Sequence, residues 1–305
     1  MRILIIGYGS IGKKHYQILK KNFTNIKFFI LSKRKISVNG AIVLKSLEEI
    51  KTINPNYVII ASEPSNHFFQ LKFLENNFKN IKILVEKPLF HKKINFISKK
   101  NKVYLGYNLR FHPHIAFLKE FLKKNKPIDI KIITNSYLPH WRSRNYSLNY
   151  SSNRSKGGGV ILDLSHEIDL ILWLFGNIKI SYFDYGKISN LKIKSEDYLK
   201  LFGSIKNSKI SLDLSYYSRN EIRHIFVDSN KNSIFIDLKK NIFKLNSKIQ
   251  NNSLSNFSFD NTYLSMHKAI IHNRKSDYLC SFKEGNQVIN FITKLKNRRR
   301  LLARK

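Results

Sequence analysis

Along the first hundred residues, short aliphatic runs alternate with segments of helical period. Residues 2–6, 27–32, 41–44, 57–61, 81–85 and 102–106 are rich in Ile, Val and Leu with little polar alternation, so they read as strands buried on both faces. Between them, residues 11–22, 65–77 and 90–100 carry apolar positions at helical spacing. This alternation predicts right-handed crossovers and a doubly wound parallel sheet with helices on both faces. After about residue 107 the pattern changes. Strand candidates at 128–138, 180–189, 197–206, 208–217, 222–228 and 232–238 follow one another, several joined by turn-like Lys-Asn-Ser or Asp-Ser-Asn-Lys-Asn. Helical periods follow near 260–274 and 284–300. The expected class is α/β, with a parallel-sheet domain over residues 1–107 and an α+β domain with a mainly antiparallel sheet over residues 108–305.

Composition adds bounds to this picture. With 305 residues and 42% apolar content, the chain can fill two cores. No apolar stretch approaches the ~20 residues of a membrane span, and the lone cysteine, Cys280, can form no internal disulfide. Both features point to a cytoplasmic protein without a membrane partner. The formal charge of +35 attracts phosphate at low salt, but lysines run from Lys13 to Lys305 among abundant Asn and Ile. A compositional bias explains such a spread without a dedicated nucleic-acid surface, and no aromatic–basic motif of a nucleic-acid module accompanies it. The dense run from Lys294 to Lys305 fits the dipole at a helix C-terminus.

The chemistry begins at the first strand. Arg2-Ile-Leu-Ile-Ile-Gly7-Tyr-Gly9-Ser-Ile-Gly12 is an apolar run ending in Gly-x-Gly-x-x-Gly and passing into a helix. This is the start of a dinucleotide-binding Rossmann domain: Gly7 makes the turn, Gly9 admits a pyrophosphate, Gly12 lets helix and sheet close up, and the backbone from Gly7 through Ser10, Ile11 and Gly12 receives the phosphates. The second strand ends in Ser32-Lys33-Arg34, where an NAD-selective site usually carries Asp or Glu. These three residues suit a 2′-phosphate, so NADP is expected over NAD.

Two further stretches qualify as reactive. The loops after the fourth and fifth strands, Ala61-Ser62-Glu-Pro-Ser-Asn-His67 and Val85-Glu86-Lys87-Pro-Leu89, lie at strand carboxyl ends, where such sheets bind ligands. There Lys87 can hydrogen-bond a reacting hydroxyl or donate a proton, and can equally be a solvated turn lysine. Gly157-Gly-Gly-Val-Ile-Leu-Asp163-Leu-Ser-His166-Glu-Ile-Asp169 opens an apolar helix with Asp163, His166 and Asp169 at spacings of three, near one helical face. His166 can take a hydroxyl proton there, or be a partly buried His satisfied by an acid. No His/Cys cluster of ligand spacing accompanies it, so no metal is expected.

With these motifs in view, the chain resembles the glucose–fructose oxidoreductase and inositol dehydrogenase (Gfo/Idh/MocA) family. The resemblance rests on Gly7-Tyr-Gly-Ser-Ile-Gly-Lys-Lys-His15, Glu86-Lys87-Pro88, Gly106-Tyr-Asn-Leu-Arg-Phe-His-Pro113 and the Gly157–Asp169 segment, in that order. It implies a nicotinamide-dependent sugar oxidoreductase in which Lys87 and His166 serve the hydride-transfer site, with Ser62, Glu86 and Lys87 beside the cofactor. It also implies a homo-oligomer built through the antiparallel sheet. Many members place an Asp four residues before the His, whereas Asp163 precedes His166 by three. The stretch Tyr137–Tyr146 is similar to a subgroup met in surface-polysaccharide and nonulosonic-sugar pathways. Arg110, His112, Trp141, Arg142, Arg144, Tyr146 and Asp163 are the expected substrate contacts; aromatic rings that stack on a sugar and arginines that clamp an acid favour an anionic sugar. A catalytically silent, cofactor-binding regulator or scaffold is the alternative, against which intact Lys87 and His166 speak.

Overall fold

The computed structural model describes residues 1–141, 145–250, 254, 257–274 and 276–302. They form two compact units, Met1–Asn108 with Phe259–Lys305, and Leu109–Ser258. The chain therefore crosses between units twice. The first crossing falls at the expected break near residue 107. The second corrects the expected boundaries, because the last helical segments return to the first unit instead of staying with the second.

The first unit opens with β1 (Arg2–Ile6), α1 (Ser10–Asn22), β2 (Lys27–Leu31), β3 (Ala41–Leu44), the short α2 (Ile50–Ile53), β4 (Tyr57–Ile60), α3 (His67–Asn77), β5 (Lys82–Val85) and β6 (Lys102–Leu105). The second unit contains α4 (Pro113–Lys124), β7 (Pro127–Tyr137), α5 (Val160–Asp163), α6 (Ser165–Leu174), β8 (Lys179–Gly186), β9 (Tyr198–Ile205), β10 (Ser208–Ser215), β11 (Tyr217–Ser229), β12 (Ser233–Asp237), β13 (Ile242–Leu245) and β14 (Lys248–Ile249). The return comprises α7 (Asp260–Ile271), β15 (Cys280–Ser281) and α8 (Phe282–Leu302).

The first sheet has the order β15-β6-β5-β4-β1-β2-β3. All its pairs are parallel except β15 on β6. Every residue of β4 is buried, as is all of β1 after Arg2, which is what an interior parallel sheet requires of an uninterrupted aliphatic run. The order reverses between β1 and β4, so a crevice opens at their carboxyl ends, where doubly wound sheets bind ligands.

One predicted helix is absent. Residues 90–100 run from β5 to β6 without helix. Glu75 of α3 instead accepts the main-chain N–H groups of Lys99 and Lys100 at 2.6 and 2.5 Å. Phe90 and Phe96 pack edge-on against Phe68 and Phe282. The helical spacing of these apolar residues is real but serves distant partners, and the returning α8 lies against β6.

The second sheet has the order β14-β13-β12-β11-β7-β10-β9-β8. Only β7 and β10 run parallel; the other pairs are antiparallel. α5 packs on β9 and β10, while Tyr182 and Phe202, directly paired across β8 and β9, stay exposed. Among the described residues, no helix is long and apolar enough to cross a membrane.

Candidate functional site

In the first unit the glycine loop is built as its sequence requires. Gly12 cannot carry a side chain, because a Cβ there would lie 2.0 Å from the Gly7 carbonyl oxygen. Gly9 caps α1, and the first helical bond runs from the Lys13 N–H to the Gly9 carbonyl at 3.0 Å. The amides of Ser10, Ile11 and Gly12 thus face out of a helix end with no acidic residue in its first turn. A Cβ built on Gly9 would meet nothing nearer than the Arg34 guanidinium at 4.0 Å. The arrangement fits a dinucleotide: open room over Gly9, outward amides and a guanidinium nearby. At the end of β2, Ser32 is buried and its Oγ accepts the Arg34 N–H at 3.1 Å, while Lys33 and Arg34 are exposed.

The loops after β4 and β5 are tied together by a residue to which the sequence reading assigned no role. His67, at the start of α3, is fully buried. Its Nδ1 lies 3.0 and 3.2 Å from the Pro88 and Leu89 carbonyl oxygens, and its Nε2 lies 3.1 Å from the Ser62 carbonyl oxygen. Burial lowers its pKa against the opposing pull of these carbonyls. Ser62 donates its Oγ–H to Gln70 at 2.7 Å. Lys87 is half-buried and precedes Pro88 through a cis peptide bond. Glu86, expected beside the cofactor, turns its carboxylate inward: it is 5% exposed and lies 3.0 Å from His15 Nε2.

In the second unit the Asp163–His166–Asp169 series does not form one helical face. The helix breaks at Leu164 (φ −97°, ψ 31°), which separates α5 from α6. Asp163 is buried and accepts the Tyr216 phenolic hydrogen, and Trp141 packs edge-on against the same Tyr216 ring. Burial, followed by the Asp163 charge, pushes the Tyr216 pKa well up. Asp169 is taken by Arg110, whose Nε and Nη2 donate at 2.9 and 2.7 Å. His166, in the first turn of α6, retains 8% exposure. Ahead of this segment the backbone is crowded: Gly159 has φ +119°, and a Cβ there would meet the Glu196 carboxylate at 2.6 Å.

Two expected substrate contacts have side chains engaged in the interior. Arg110 is 1% exposed, paired with Asp169 and stacked 4.8 Å from the Trp173 ring, so its donors serve the interior. His112 is fully buried; its Nδ1 caps α4 by accepting the His114 N–H at 3.2 Å, and burial, then the neighbouring His114, lower its pKa to about 4. Trp141 and Tyr146 are half-buried, and the Tyr146 hydroxyl accepts the Lys192 N–H at 3.0 Å. Arg142 and Arg144 lie outside the described residues.

A dinucleotide-type Rossmann unit and an α+β unit carrying a glycine-bounded histidine helix define a two-unit, nucleotide-dependent protein. Residues 1–96 match the family model described as oxidoreductase family, NAD-binding Rossmann fold, and residues 121–300 match that of its C-terminal alpha/beta domain. The chain belongs to the Gfo/Idh/MocA oxidoreductase family. Similar solved structures include UDP-N-acetylglucosamine 3-dehydrogenase GnnA from Acidithiobacillus ferrooxidans, with 17% identity, 95% of this chain and 94% of that one covered, and a TM-score of 0.72. Another is the WlbA dehydrogenase from Bordetella pertussis in complex with NADH and UDP-GlcNAcA, with 14% identity, 96% and 94% covered, and a TM-score of 0.76. A super-repressor mutant of Gal80p from Saccharomyces cerevisiae is also similar, with 13% identity, 97% and 95% covered, and a TM-score of 0.77. No curated protein sequence matches the chain significantly.

Proposed function

We propose that the protein moves hydride between a nicotinamide and a carbinol or ketone carbon of an anionic sugar, such as a nucleotide-activated sugar or a uronate. The observation that carries the reading is Lys87: it stands half-buried at the carboxyl end of β5, in a loop that His67 ties to the one after β4, beside the crevice where such sheets bind nucleotides. In the oxidative direction, His166 accepts the hydroxyl proton while the Lys87 ammonium hydrogen-bonds the developing alkoxide; in reduction the proton returns by the same route. The nicotinamide, when bound, supplies the hydride acceptor or donor. The outward amides of Ser10, Ile11 and Gly12 would hold its pyrophosphate, and Ser32, Lys33 and Arg34 a 2′-phosphate, so NADP is favoured over NAD.

Asp163, oriented by Tyr216, stands three residues before His166, and Trp141 offers a ring for a sugar face. The UDP-GlcNAcA bound to WlbA and the UDP-N-acetylglucosamine activity of GnnA support the substrate class. A place in surface-polysaccharide synthesis rests on the likeness of the Tyr137–Tyr146 stretch to that subgroup. The exposed Tyr182–Phe202 pair supports a homo-oligomer through the second sheet. Incubating the protein with NADP or NAD and a panel of uronates, UDP-sugars and neutral polyols, while following nicotinamide absorbance, tests the reading. Turnover with an anionic sugar is expected; cofactor binding without turnover of any sugar would favour a silent regulator, a reading to which the Gal80p likeness lends weight.

A further inference from the structure

Beneath the glycine loop, four side chains from four parts of the first unit meet in one line. The Tyr57 hydroxyl on β4 lies 2.9 Å from His267 Nδ1 on α7. His267 Nε2 lies 2.9 Å from His15 Nδ1 on α1, and His15 Nε2 lies 3.0 Å from Glu86 Oε1 after β5. The other Glu86 oxygen, Oε2, accepts the Lys87 main-chain N–H at 3.3 Å. Both histidines are 0% exposed, Tyr57 1% and Glu86 5%. Groups so buried must satisfy their hydrogen bonds with one another.

That requirement sets the direction of the line. A neutral imidazole has one donor and one acceptor, so two neutral rings in series can point only one way or the other. Burial, then the adjacent His15, hold the His267 pKa well below the ordinary histidine range, so its ring is neutral. Burial and the Glu86 charge hold the Tyr57 pKa well above its ordinary value, so the phenol keeps its proton. The phenol can donate to Nδ1 or accept from it, but only donation gives its buried hydrogen a partner in the line, which makes Nδ1 the acceptor. His267 Nε2–H then donates to His15 Nδ1, and His15 Nε2–H donates to Glu86. In the reverse direction the phenolic hydrogen would find no acceptor in the line, and Glu86 would lose its donor unless it became a neutral acid.

We propose that Tyr57, His267 and His15 form a one-directional hydrogen-bond chain that keeps Glu86 a carboxylate and, through its contact with the Lys87 amide, positions Lys87. The inference rests on the assignment of Lys87 to the reacting centre. The three are positioning residues: each acts through Glu86. Gly106 admits this placement of the carboxylate, since a Cβ there would lie 2.5 Å from Glu86 Oε1. The groups facing the chain are Tyr104 from β6, Tyr263 from α7, whose ring meets His15 edge-on at 5.4 Å, and His67 from α3. None of them is an acid competing with Glu86.

The test needs no sugar substrate. In the full-length protein, imidazole nitrogen NMR should show both rings neutral with hydrogen on Nε2 at neutral pH. The Lys87 amide signal follows the protonation of Glu86. In Tyr57→Phe, which removes only the terminal donor, its titration midpoint should move upward by about tenfold in proton affinity, with about tenfold faster amide hydrogen exchange. His267→Phe should do the same, and His267→Gln, which keeps a donor and an acceptor, should restore wild-type behaviour. A purely structural role would lower stability without moving that midpoint. Hydrogen on Nδ1 of either ring, a cationic ring at neutral pH, or a Lys87 amide that titrates in Tyr57→Phe as in the wild type would overturn the proposal. If His267→Phe does not fold, Tyr57→Phe and the wild-type tautomers decide. These signals are independent of turnover, so a wrong assignment of Lys87, revealed by the sugar screen and by the Lys87 variant, remains distinguishable from a wrong relay.

Discussion

Arg110 and Asp169 form a bidentate ion pair at 2.9 and 2.7 Å, with side chains 1% and 2% exposed. Removing one member of such a pair strands a charge in the interior, which costs about 3–5 kcal/mol. Arg110→Met should therefore lower the unfolding free energy obtained from urea titration by that amount, while affinity for the nicotinamide cofactor, whose glycine loop lies in the first unit, stays unchanged. Wild-type stability in this variant would return Arg110 to the substrate-binding role expected from sequence.

Lys87→Met and His166→Ala should each reduce turnover by on the order of a hundredfold, the scale of a lost acid–base group, with cofactor affinity preserved. The measurement is kcat at saturating sugar beside a fluorescence titration of the cofactor. Near-normal kcat in either variant removes that residue from the chemistry.

Arg34 reaches to within 4.0 Å of where a Gly9 Cβ would stand. Arg34→Ala should weaken NADP binding about tenfold, as expected for loss of a charge-assisted contact, and leave NAD binding as it was. Equal losses for both cofactors would show that Arg34 does not read the 2′-phosphate.

Stability should fall as the pH drops from 6.5 towards 4, and His112 is the clearest contributor. Its folded pKa of about 4 lies below the ordinary 6.5, so the unfolded chain binds the proton more tightly throughout that interval. The stabilisation is present above about pH 6.5 and is lost as the pH falls through the folded value, by roughly 3 kcal/mol from this group. Thermal unfolding followed across the interval should show the slope, and His112→Asn should flatten it. An unchanged slope in that variant assigns the effect to the other buried histidines.

The parallel strands and the glycine loop were legible in the amino-acid sequence, which also offered Lys87 and His166 as candidates. They depend on local rules: aliphatic runs make buried strands, and Gly12 is the residue whose side chain the Gly7 carbonyl excludes. Helix α4 escaped notice because its cap is His112 ahead of Pro113, not one of the common Ser, Thr, Asp or Asn caps. Tertiary contacts decided the rest. The apolar period of residues 90–100 matched a helix, yet Glu75 and the Phe68–Phe282 cluster hold that segment in a non-helical path. Spacing likewise suggested that Asp163 and Asp169 share a task with His166, whereas Tyr216 and Arg110, 53 and 59 residues away in sequence, claim them separately. His15 was visible only as part of a motif; that it faces His267, 252 residues later, follows from the chain's return to its first unit. Burial sets each of these outcomes, because a polar group removed from water takes whichever partner the fold brings near, and local spacing carries no information about that partner.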